Sequence, residues 1–366
     1  MQNTASLPVD QFSDLLRRLP PDLDLDELAR QTKAIERPRK LDNGTTLLRL
    51  ALARGPGGLS LSATAAWATL LGLPSMSDPG VKYRLDKAVA FLNAVMTSQL
   101  AAKSAGASVR WAGRILRACD GTCISKRGSK GTDWRVHAVY DLGRGGFSHL
   151  DLTDAHGAEA VDRGAPVAGE VRIGDRNYGT AASLQRFRQQ SANQADFIVR
   201  VRWRGFSLSL ADGSGFDLID HLGTLPNDMT PHEVMVQAKV GPLDPSLPLR
   251  LIIQRKSPEA AEATRKKLIS EASRKQKTLD PRSLVAAEFM IVGTSLPAEG
   301  YPAEEVLAVY RLRWQIELAF KRLKSLLHID KLPTFTEDAS RSWLYAHLIM
   351  ALLCDDLSQE FLESSP

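Results

Sequence analysis

Three acidic residues stand where carboxylates can do chemistry: Asp120, Asp175 and Glu317. Asp120 closes the apolar run RILRACD and Asp175 closes VRIGD, so the pattern predicts each at the carboxyl end of a strand. A carboxylate at the end of a central strand is costly unless it faces a cleft or a cation. Either aspartate alone is also a common turn former, so a structural role stays open for each.

The three carboxylates together form an oxygen-only donor set, without sulfur or imidazole. Such a set suits Mg²⁺ or Mn²⁺, which prefer carboxylates and keep water positions open for a phosphate. Two such ions about 3.5–4 Å apart can activate a water or a 3′-hydroxyl and stabilise the leaving oxygen of a phosphodiester. The donor set therefore predicts metal-dependent chemistry on phosphodiesters.

The glutamate belongs to the stretch YRLRWQIELAFKRLK, residues 310–324, which is predicted as one helix. Tyr310, Arg313, Glu317 and Lys324 fall within a helical sector about 60° wide. The neighbouring sector is apolar and is predicted to pack inward; it contains Val309, Leu312, Ile316, Phe320, Leu323 and Leu327. An ordinary i,i+4 ion pair between Arg313 and Glu317 on a solvated face is the alternative.

The composition limits the classes of protein to consider. The 366 residues are 43% hydrophobic and 24% charged, which is typical of a globular chain with two or three domains. A net charge of +5 permits a polyanionic partner without requiring one. Three cysteines indicate a reducing, cytosolic setting, and the spacing of Cys119 and Cys123 with His137 matches no zinc finger. No apolar stretch approaches the ~20 residues of a membrane span; the longest candidate, 344–354, predicts a core helix.

Residues 1–105 are predicted to be all-helical. Within them, 62–96 reads as a helix, a turn at Gly72-Leu73-Pro74 and a second helix over 79–96. This is the outline of a helix-turn-helix unit, although any helical hairpin shares it. DNA binding is favoured by cations on the second helix: Lys82, Arg84 and Lys87.

From residue 106 the pattern changes to an α/β chain. Residues 106–203 predict three antiparallel strands followed by further strands and helices, the order expected of a ribonuclease-H-like core with a mixed sheet. Residues 204–295 predict a β-rich insertion with a basic helix near 264–277, whose cations either contact phosphates or form a solvated face. Residues 296–366 return to the core with the glutamate helix and a C-terminal apolar helix.

These motifs together resemble those of the DDE transposases of insertion-sequence family four. The resemblance rests on Asp120 in CDGT, Asp175 in GDRNYG and the Tyr-x2-Arg-x3-Glu-x6-Lys run at 310–324, known in that family as the YREK signature. It covers about residues 60–330, including a helical DNA-binding region and an insertion before the glutamate.

The resemblance implies roles for individual residues. Asp120, Asp175 and Glu317 would be catalytic ligands of two Mg²⁺ ions, with Mn²⁺ as a substitute. Three residues of the helix would contact DNA phosphates: Tyr310, Arg313 and Lys324. Arg176 would also meet the DNA backbone, with a simple ion pair as the alternative.

The resemblance also implies a reaction and its partners. A homodimer would bind double-stranded DNA at the inverted repeats of a transposon, in the cytoplasm of a bacterium and at its nucleoid. Each end would be nicked, converted to a hairpin, reopened and joined to target DNA. Some relatives stack a flipped base on a tryptophan; the matching stretch AAEFMIVGTS has none. Phe289 could stack instead, or it could be a core strand residue.

Two other functions remain open from the sequence. One is a ribonuclease-H-like nuclease or resolvase that hydrolyses DNA without strand transfer. The other is a decayed DNA-binding protein that has lost catalysis, against which the intact set of three carboxylates argues.

Overall fold

The computed structural model describes residues 12–37, 41–104, 108–330, 332–333 and 336–364. The predicted boundary between residues 105 and 106 lies outside these ranges. The described chain begins with six helices: α1 (Ser13–Leu16), α2 (Leu25–Gln31), α3 (Gly44–Arg54), α4 (Leu61–Leu70), α5 (Asp78–Lys87) and α6 (Val89–Ser104).

The N-terminal helices begin where the sequence offers capping side chains. Asp24, Asn43 and Ser60 each accept hydrogen bonds from backbone N–H groups of the first turns of α2, α3 and α4. The single helix predicted over 79–96 is wrong, because the chain forms α5 and α6 there. The N–H of Ala88 bonds to the carbonyl of Leu85, three residues back, and this tighter turn separates the two helices.

The rest of the described chain builds one sheet with helices around it. Its strands are β1 (Arg110–Trp111), β2 (Arg114–Ile124), β3 (Trp134–Asp141), β4 (Gly146–Asp154), β5 (Glu170–Gly174), β6 (Asp196–Arg200), β7 (Leu208–Ser209), β8 (His232–Ala238), β9 (Leu247–Arg255) and β10 (Phe289–Thr294). Its helices are α7 (Ala181–Gln190), α8 (Leu218–Thr224), α9 (Pro258–Arg274), α10 (Pro281–Ala287), α11 (Ala303–Arg311), α12 (Trp314–Leu327) and α13 (Glu337–Ser364).

The strand order is β4-β3-β2-β5-β6-β10-β9-β8-β7, with β1 paired to β2. Strands β4, β3 and β2 are antiparallel to one another, whereas β2, β5 and β6 run parallel. Three antiparallel strands joined to two parallel ones is the ribonuclease-H-like arrangement, so the predicted fold class is confirmed. The parallel crossover between β5 and β6 is made by α7.

The predicted insertion continues the same sheet, because β10 pairs antiparallel with β6 and then with β9. The predicted basic helix is α9. The stacking role considered for Phe289 is corrected by its position on β10. Its side chain is 3% exposed in the core, and the guanidinium of Arg255 lies 4.4 Å from its ring centroid, so no base can reach the ring.

The single helix predicted around residues 310–324 is also wrong, because it is broken into α11 and α12. At the break, the N–H groups of Leu312, Arg313, Gln315 and Ile316 each bond to the carbonyl three residues back. Such bonds form a 3₁₀ turn, which rotates the chain more per residue than an α-helix does. The angular sector calculated for a straight helix therefore does not describe the four signature residues.

The apolar stripe does pack inward, into two different clusters. Val309 on α11 joins a cluster against β5, β6 and β10, whereas Ile316 and Phe320 on α12 join a cluster with α13, β3 and the N-terminal helices. A third cluster, on the opposite face of the sheet, is covered by α7 and α8. The break between α11 and α12 thus marks the passage from one part of the core to another.

The apolar stretch 344–354 lies within α13, and its residues from Leu344 to Leu353 are buried in the core. Among the described residues, no helix has both the length and the hydropathy needed to cross a membrane.

Candidate active site

Asp120 lies on β2, and Asp175 directly follows the adjacent strand β5. Cys119 of β2 and Gly174 of β5 are paired in the parallel register, and each aspartate follows one member of that pair. Adjacent strands are about 4.8 Å apart, so the two aspartates emerge side by side. The alternation along β2 places Asp120 on the face that carries Ala118, under α12.

The position of Asp120 within β2 differs from the prediction. The strand was predicted to end at Asp120, but it continues to Ile124 because it remains paired with β3, where Asp120 lies opposite Ala138. Strand β5 does end at Gly174, as predicted. Asp120 is therefore accessible because the neighbouring strand β5 ends beside it, and not because its own strand turns there.

Glu317 is connected to Asp120 through Arg313. One guanidinium nitrogen of Arg313 lies 3.4 Å from Oδ2 of Asp120, and another lies 2.5 Å from Oε1 of Glu317. The side chain of Glu317 is 53% exposed, whereas those of Asp120 and Arg313 are about four-fifths buried. The i,i+4 ion pair considered as an alternative is present, and it reaches a third, distant residue.

The charge on Asp120 is only partly compensated. Burial raises the pKa of Asp120 to about 6, and the nearby charges of Asp175 and Glu317 raise it as well. The backbone N–H of Gly121, which donates to Oδ1 at 2.8 Å, and Arg313 act in the opposite direction. An oxygen-only site with excess negative charge is one that a hard divalent cation fits.

The carboxylates do not form a closed ligand set in this conformation. Within the described ranges, no three His, Cys, Asp or Glu side chains are grouped closely enough to hold a metal ion. The guanidinium of Arg313, which contacts both Asp120 and Glu317, takes the position between these two acids. Metal binding would therefore require Arg313 to shift or the carboxylates to close around the ion.

A cleft of about 430 Å³ opens beside Asp175 and runs between the core and α9. It is lined by Asp175, Arg176, Arg200, Ala263, Thr264, Lys267, Leu268, Glu271, Tyr310 and Arg313. Four of these residues are cations and two are carboxylates, so the cleft carries a net positive charge. Basic walls next to acidic side chains can hold a phosphate backbone close to bound metal ions.

Of the three signature residues expected to contact DNA, two line this cleft and one does not. Tyr310 lines it from a position where it is only 7% exposed, and Arg313 lies beside it. Lys324 follows Glu317 by two helical turns, roughly 10 Å along α12, and does not line the cleft. Arg176 is exposed in the cleft, and no described carboxylate lies within 4 Å of its guanidinium, so its alternative role in an ion pair is not realised.

Arg200 is a cleft residue that sequence reasoning missed. It ends β6, the strand that pairs with β5 on the side away from β2. The available signal was its position: like Asp175, it is the polar residue at the end of an apolar strand, DFIVR. Lys267 was included in the predicted basic helix, but its orientation toward the cleft could not be read from the sequence.

Comparison with known proteins identifies the family. The family model described as a transposase DDE domain matches residues 111–353. The transposase for insertion sequence element IS421 of Escherichia coli is 38% identical over 360 residues, covering 98% of this chain and 96% of the relative. The InsL protein of insertion sequence element IS186A, from Escherichia coli K12, is 38% identical over 359 residues with the same coverage.

A more distant similarity is found among solved structures. A cryo-EM structure of the piggyBac transposase in a synaptic complex with hairpin DNA aligns with 94% of this chain and 73% of its own, with a TM-score of 0.46 and 8% identity. That score is too low to support any conclusion. The family match and the two full-length relatives are sufficient by themselves: the chain belongs to the DDE transposase family.

Proposed function

We propose that this transposase cleaves DNA at the ends of an insertion sequence and joins those ends to target DNA, with Asp120, Asp175 and Glu317 as its metal ligands. The observation that supports the proposal most strongly is the convergence at Arg313. Arg313 contacts both Asp120 on β2 and Glu317, which lies nearly two hundred residues later in the chain. Asp175 follows the end of β5, the strand paired with β2 at this point.

The enzymes of this family use divalent metal ions, and we propose that the ions here are two Mg²⁺, with Mn²⁺ as a substitute. Bound at the three carboxylates, such ions would supply an activated water or 3′-hydroxyl and offset charge on the leaving oxygen. Burial, and to a smaller extent the charges of Asp175 and Glu317, raises the pKa of Asp120, and bound cations would favour its charged form.

The remaining side chains of the cleft would bind and orient the DNA strand. Arg313 and Arg176 can donate paired hydrogen bonds to phosphate oxygens, and Tyr310 can donate one from its hydroxyl. Lys324 would contact a phosphate farther along the same strand, since it lies two turns beyond Glu317. Lys267 and Arg200 would flank the strand from α9 and β6.

The N-terminal helices would bind the DNA outside the catalytic cleft. A second cleft, of about 270 Å³, lies between the end of α2 and α5 and is lined by Lys33, Ala34, Glu36, Arg37, Tyr83, Arg84 and Lys87. Among the described residues, none of its four cations lies within 4 Å of a carboxylate. Cations that are not paired with described carboxylates can bind the phosphates of a DNA backbone in such a groove.

We assign the parts of the chain accordingly. Residues 1–105 would bind DNA, 106–203 and 296–366 would form the catalytic core, and 204–295 would form an insertion that closes the cleft with α9. The protein would act as a homodimer, with one copy at each transposon end, on the nucleoid DNA in the cytoplasm of a bacterium.

A strand-transfer assay tests the proposal against a purely hydrolytic nuclease. The protein is incubated in Mg²⁺ with a pre-cleaved DNA fragment carrying the sequence that flanks its gene, together with a supercoiled target plasmid. We expect covalent joining of the 3′-hydroxyl end to the plasmid. A fragment whose 3′ end is a dideoxynucleotide is the matched control and should not be joined. An uncleaved fragment is tested in parallel: if it is cleaved while the pre-cleaved fragment is not joined, the function is hydrolytic, and if both are only bound, the enzyme is decayed.

A further inference from the structure

Both aspartates of the candidate site have a glycine neighbour, and the structure shows the same reason for each. Gly121 follows Asp120, and Gly174 precedes Asp175. Neither glycine has a positive φ, so the backbone does not demand glycine at either position. Glycine is favoured at both positions because the side chain of Tyr178 lies across β2 and β5, on the face of the sheet opposite the aspartates.

A side chain at either glycine would press on Tyr178, so that the tyrosine or the strand would have to shift. A Cβ atom built on Gly174 would lie 2.8 Å from the Cβ of Tyr178 and 3.2 Å from Sγ of Cys119. A Cβ atom built on Gly121 would lie 3.0 Å from the hydroxyl oxygen of Tyr178. The base of the tyrosine thus packs on β5 and its hydroxyl end packs on β2, so one buried side chain spans the two strands that carry the aspartates.

Tyr178 is also fixed to the turn that holds Asp175. Its N–H donates to the Asp175 carbonyl at 3.1 Å, and its own carbonyl accepts from the N–H of Thr180 and the hydroxyl of Ser183, both at 3.2 Å. Its side chain is 1% exposed. Because interiors are close-packed, a shift of this ring would be transmitted to the turn rather than absorbed by it.

We propose that Tyr178 is a positioning residue that sets the separation between Asp120 and Asp175, and that Gly121 and Gly174 are required because they admit it. The proposal rests on the assignment of these aspartates to the active site. It gives a physical reason for the two sequence contexts, Asp-Gly and Gly-Asp-x-x-Tyr, in which the aspartates occur.

The hydroxyl of Tyr178 provides a way to test this contact without destroying the core. It has no hydrogen-bond partner among the described residues, so Tyr178→Phe keeps the ring and removes little else. The other atoms near a Cβ at position 121, Oε1 of Glu159 and Nδ1 of His137, would lie at 3.5 and 3.6 Å, which are ordinary contacts. Removing the hydroxyl should therefore be enough to accommodate an alanine at position 121.

The experiment compares Gly121→Ala, Tyr178→Phe, the double variant and Gly131→Ala, a control at a glycine with nothing within 4 Å of its Cβ position. Cleavage of gene-flanking DNA is measured as a function of Mg²⁺ concentration, alongside end binding and thermal melting. We expect Gly121→Ala to lower the cleavage rate by about ten- to a hundredfold, as sub-ångström misplacement does, and to raise the Mg²⁺ concentration at half-maximal rate, with end binding unchanged.

Gly131→Ala should behave like the unmodified protein. Tyr178→Phe should lose less of the cleavage rate than Gly121→Ala, because it keeps the ring and removes only the hydroxyl contact with β2, and the double variant should recover most of the rate lost in Gly121→Ala. Gly174→Ala should not be rescued by Tyr178→Phe, because its contact is with Cβ, which phenylalanine keeps. A double variant no better than Gly121→Ala, or a Gly121→Ala protein with normal rate and metal dependence, would overturn the proposal. The variant Asp120→Asn distinguishes a failure of the positioning proposal from a failure of the active-site assignment. If Asp120→Asn leaves cleavage intact, the active-site assignment itself has failed.

Discussion

A single arginine contacts two of the three acidic side chains that we propose as metal ligands. The guanidinium of Arg313 contacts both Asp120 and Glu317, and the side chain is about four-fifths buried and lines the cleft. A guanidinium in this position can exchange a carboxylate for a phosphate oxygen, because the two present similar pairs of acceptors. Arg313 thus bridges the two acids, and we propose that it exchanges one of them for a phosphate when DNA binds.

Arg313→Ala should weaken binding to transposon-end DNA and reduce the magnitude of the slope of log affinity against log salt by about one, the value for one lost phosphate contact. Metal binding should be retained. Arg311→Ala is the matched control, since Arg311 is exposed at the end of α11 and does not line the cleft. Fluorescence anisotropy across a salt series provides the measurement, and equal slopes for the two variants would exclude a phosphate role for Arg313.

The candidate site residues could be proposed from their types and spacing, but their exposure could not be predicted. Phe289 is aromatic and near the expected position for stacking, yet it is buried beneath Arg255, which is distant in the sequence. Asp120 was expected at a strand end and lies inside β2, because β3 continues to pair with it. Both errors arise from partners that only the folded chain brings together.

Among the elements, the break between α11 and α12 is the unpredicted feature that lies nearest the candidate site. The apolar spacing continues through the break, since Val309 and Ile316 are both buried, and a hydrophobic period alone therefore indicates one helix. The break shows itself only in the change of packing partner from one cluster to the next. Its consequence is functional, because Arg313, the last residue before α12, turns toward Asp120.

Helix α5 gives a prediction about DNA binding that does not involve catalysis. The variant Arg84→Ala/Lys87→Ala removes two cations of the second cleft, and we expect the magnitude of the salt slope for end binding to fall by about two. Melting temperature should not change, since neither side chain is paired with a described carboxylate. Lys239→Ala, at an exposed position in the loop after β8, serves as the control. If the double variant lost thermal stability but kept its DNA affinity, these cations would stabilise the end of α5 and would not bind DNA.

For the molecule as a whole, the strands of the core could be predicted and the full extent of the sheet could not. Each core strand has a local signal, and the order of elements along the chain indicates the ribonuclease-H-like topology. The pairing of β10 with β6 joins residues about ninety positions apart, and no local pattern encodes it. The sequence pattern therefore indicated that the insertion interrupts the core. In the structure the insertion extends the same sheet, and its helix α9 lines the cleft.

The stability of the whole fold should depend on a buried histidine of α13. Burial lowers the pKa of His347 to about 4, below its value of about 6.5 in an unfolded chain. The unfolded state therefore binds the proton first, and stability should fall as pH drops from about 6.5 to 4, by roughly 3 kcal/mol at most. Urea unfolding at pH 7 and at about pH 4.5 should show a smaller loss for His347→Gln than for the unmodified protein. Identical losses would contradict this role.

The most direct test of the central assignment compares cleavage of gene-flanking DNA in Mg²⁺ by three variants, Asp120→Asn, Asp175→Asn and Glu317→Gln. Glu305→Gln, an exposed carboxylate on α11, is the control. We expect each of the three to lose cleavage while binding transposon-end DNA with unchanged or higher affinity, and the control to cleave normally. Cleavage at the normal rate by any one of the three would contradict the proposal that these acids act together.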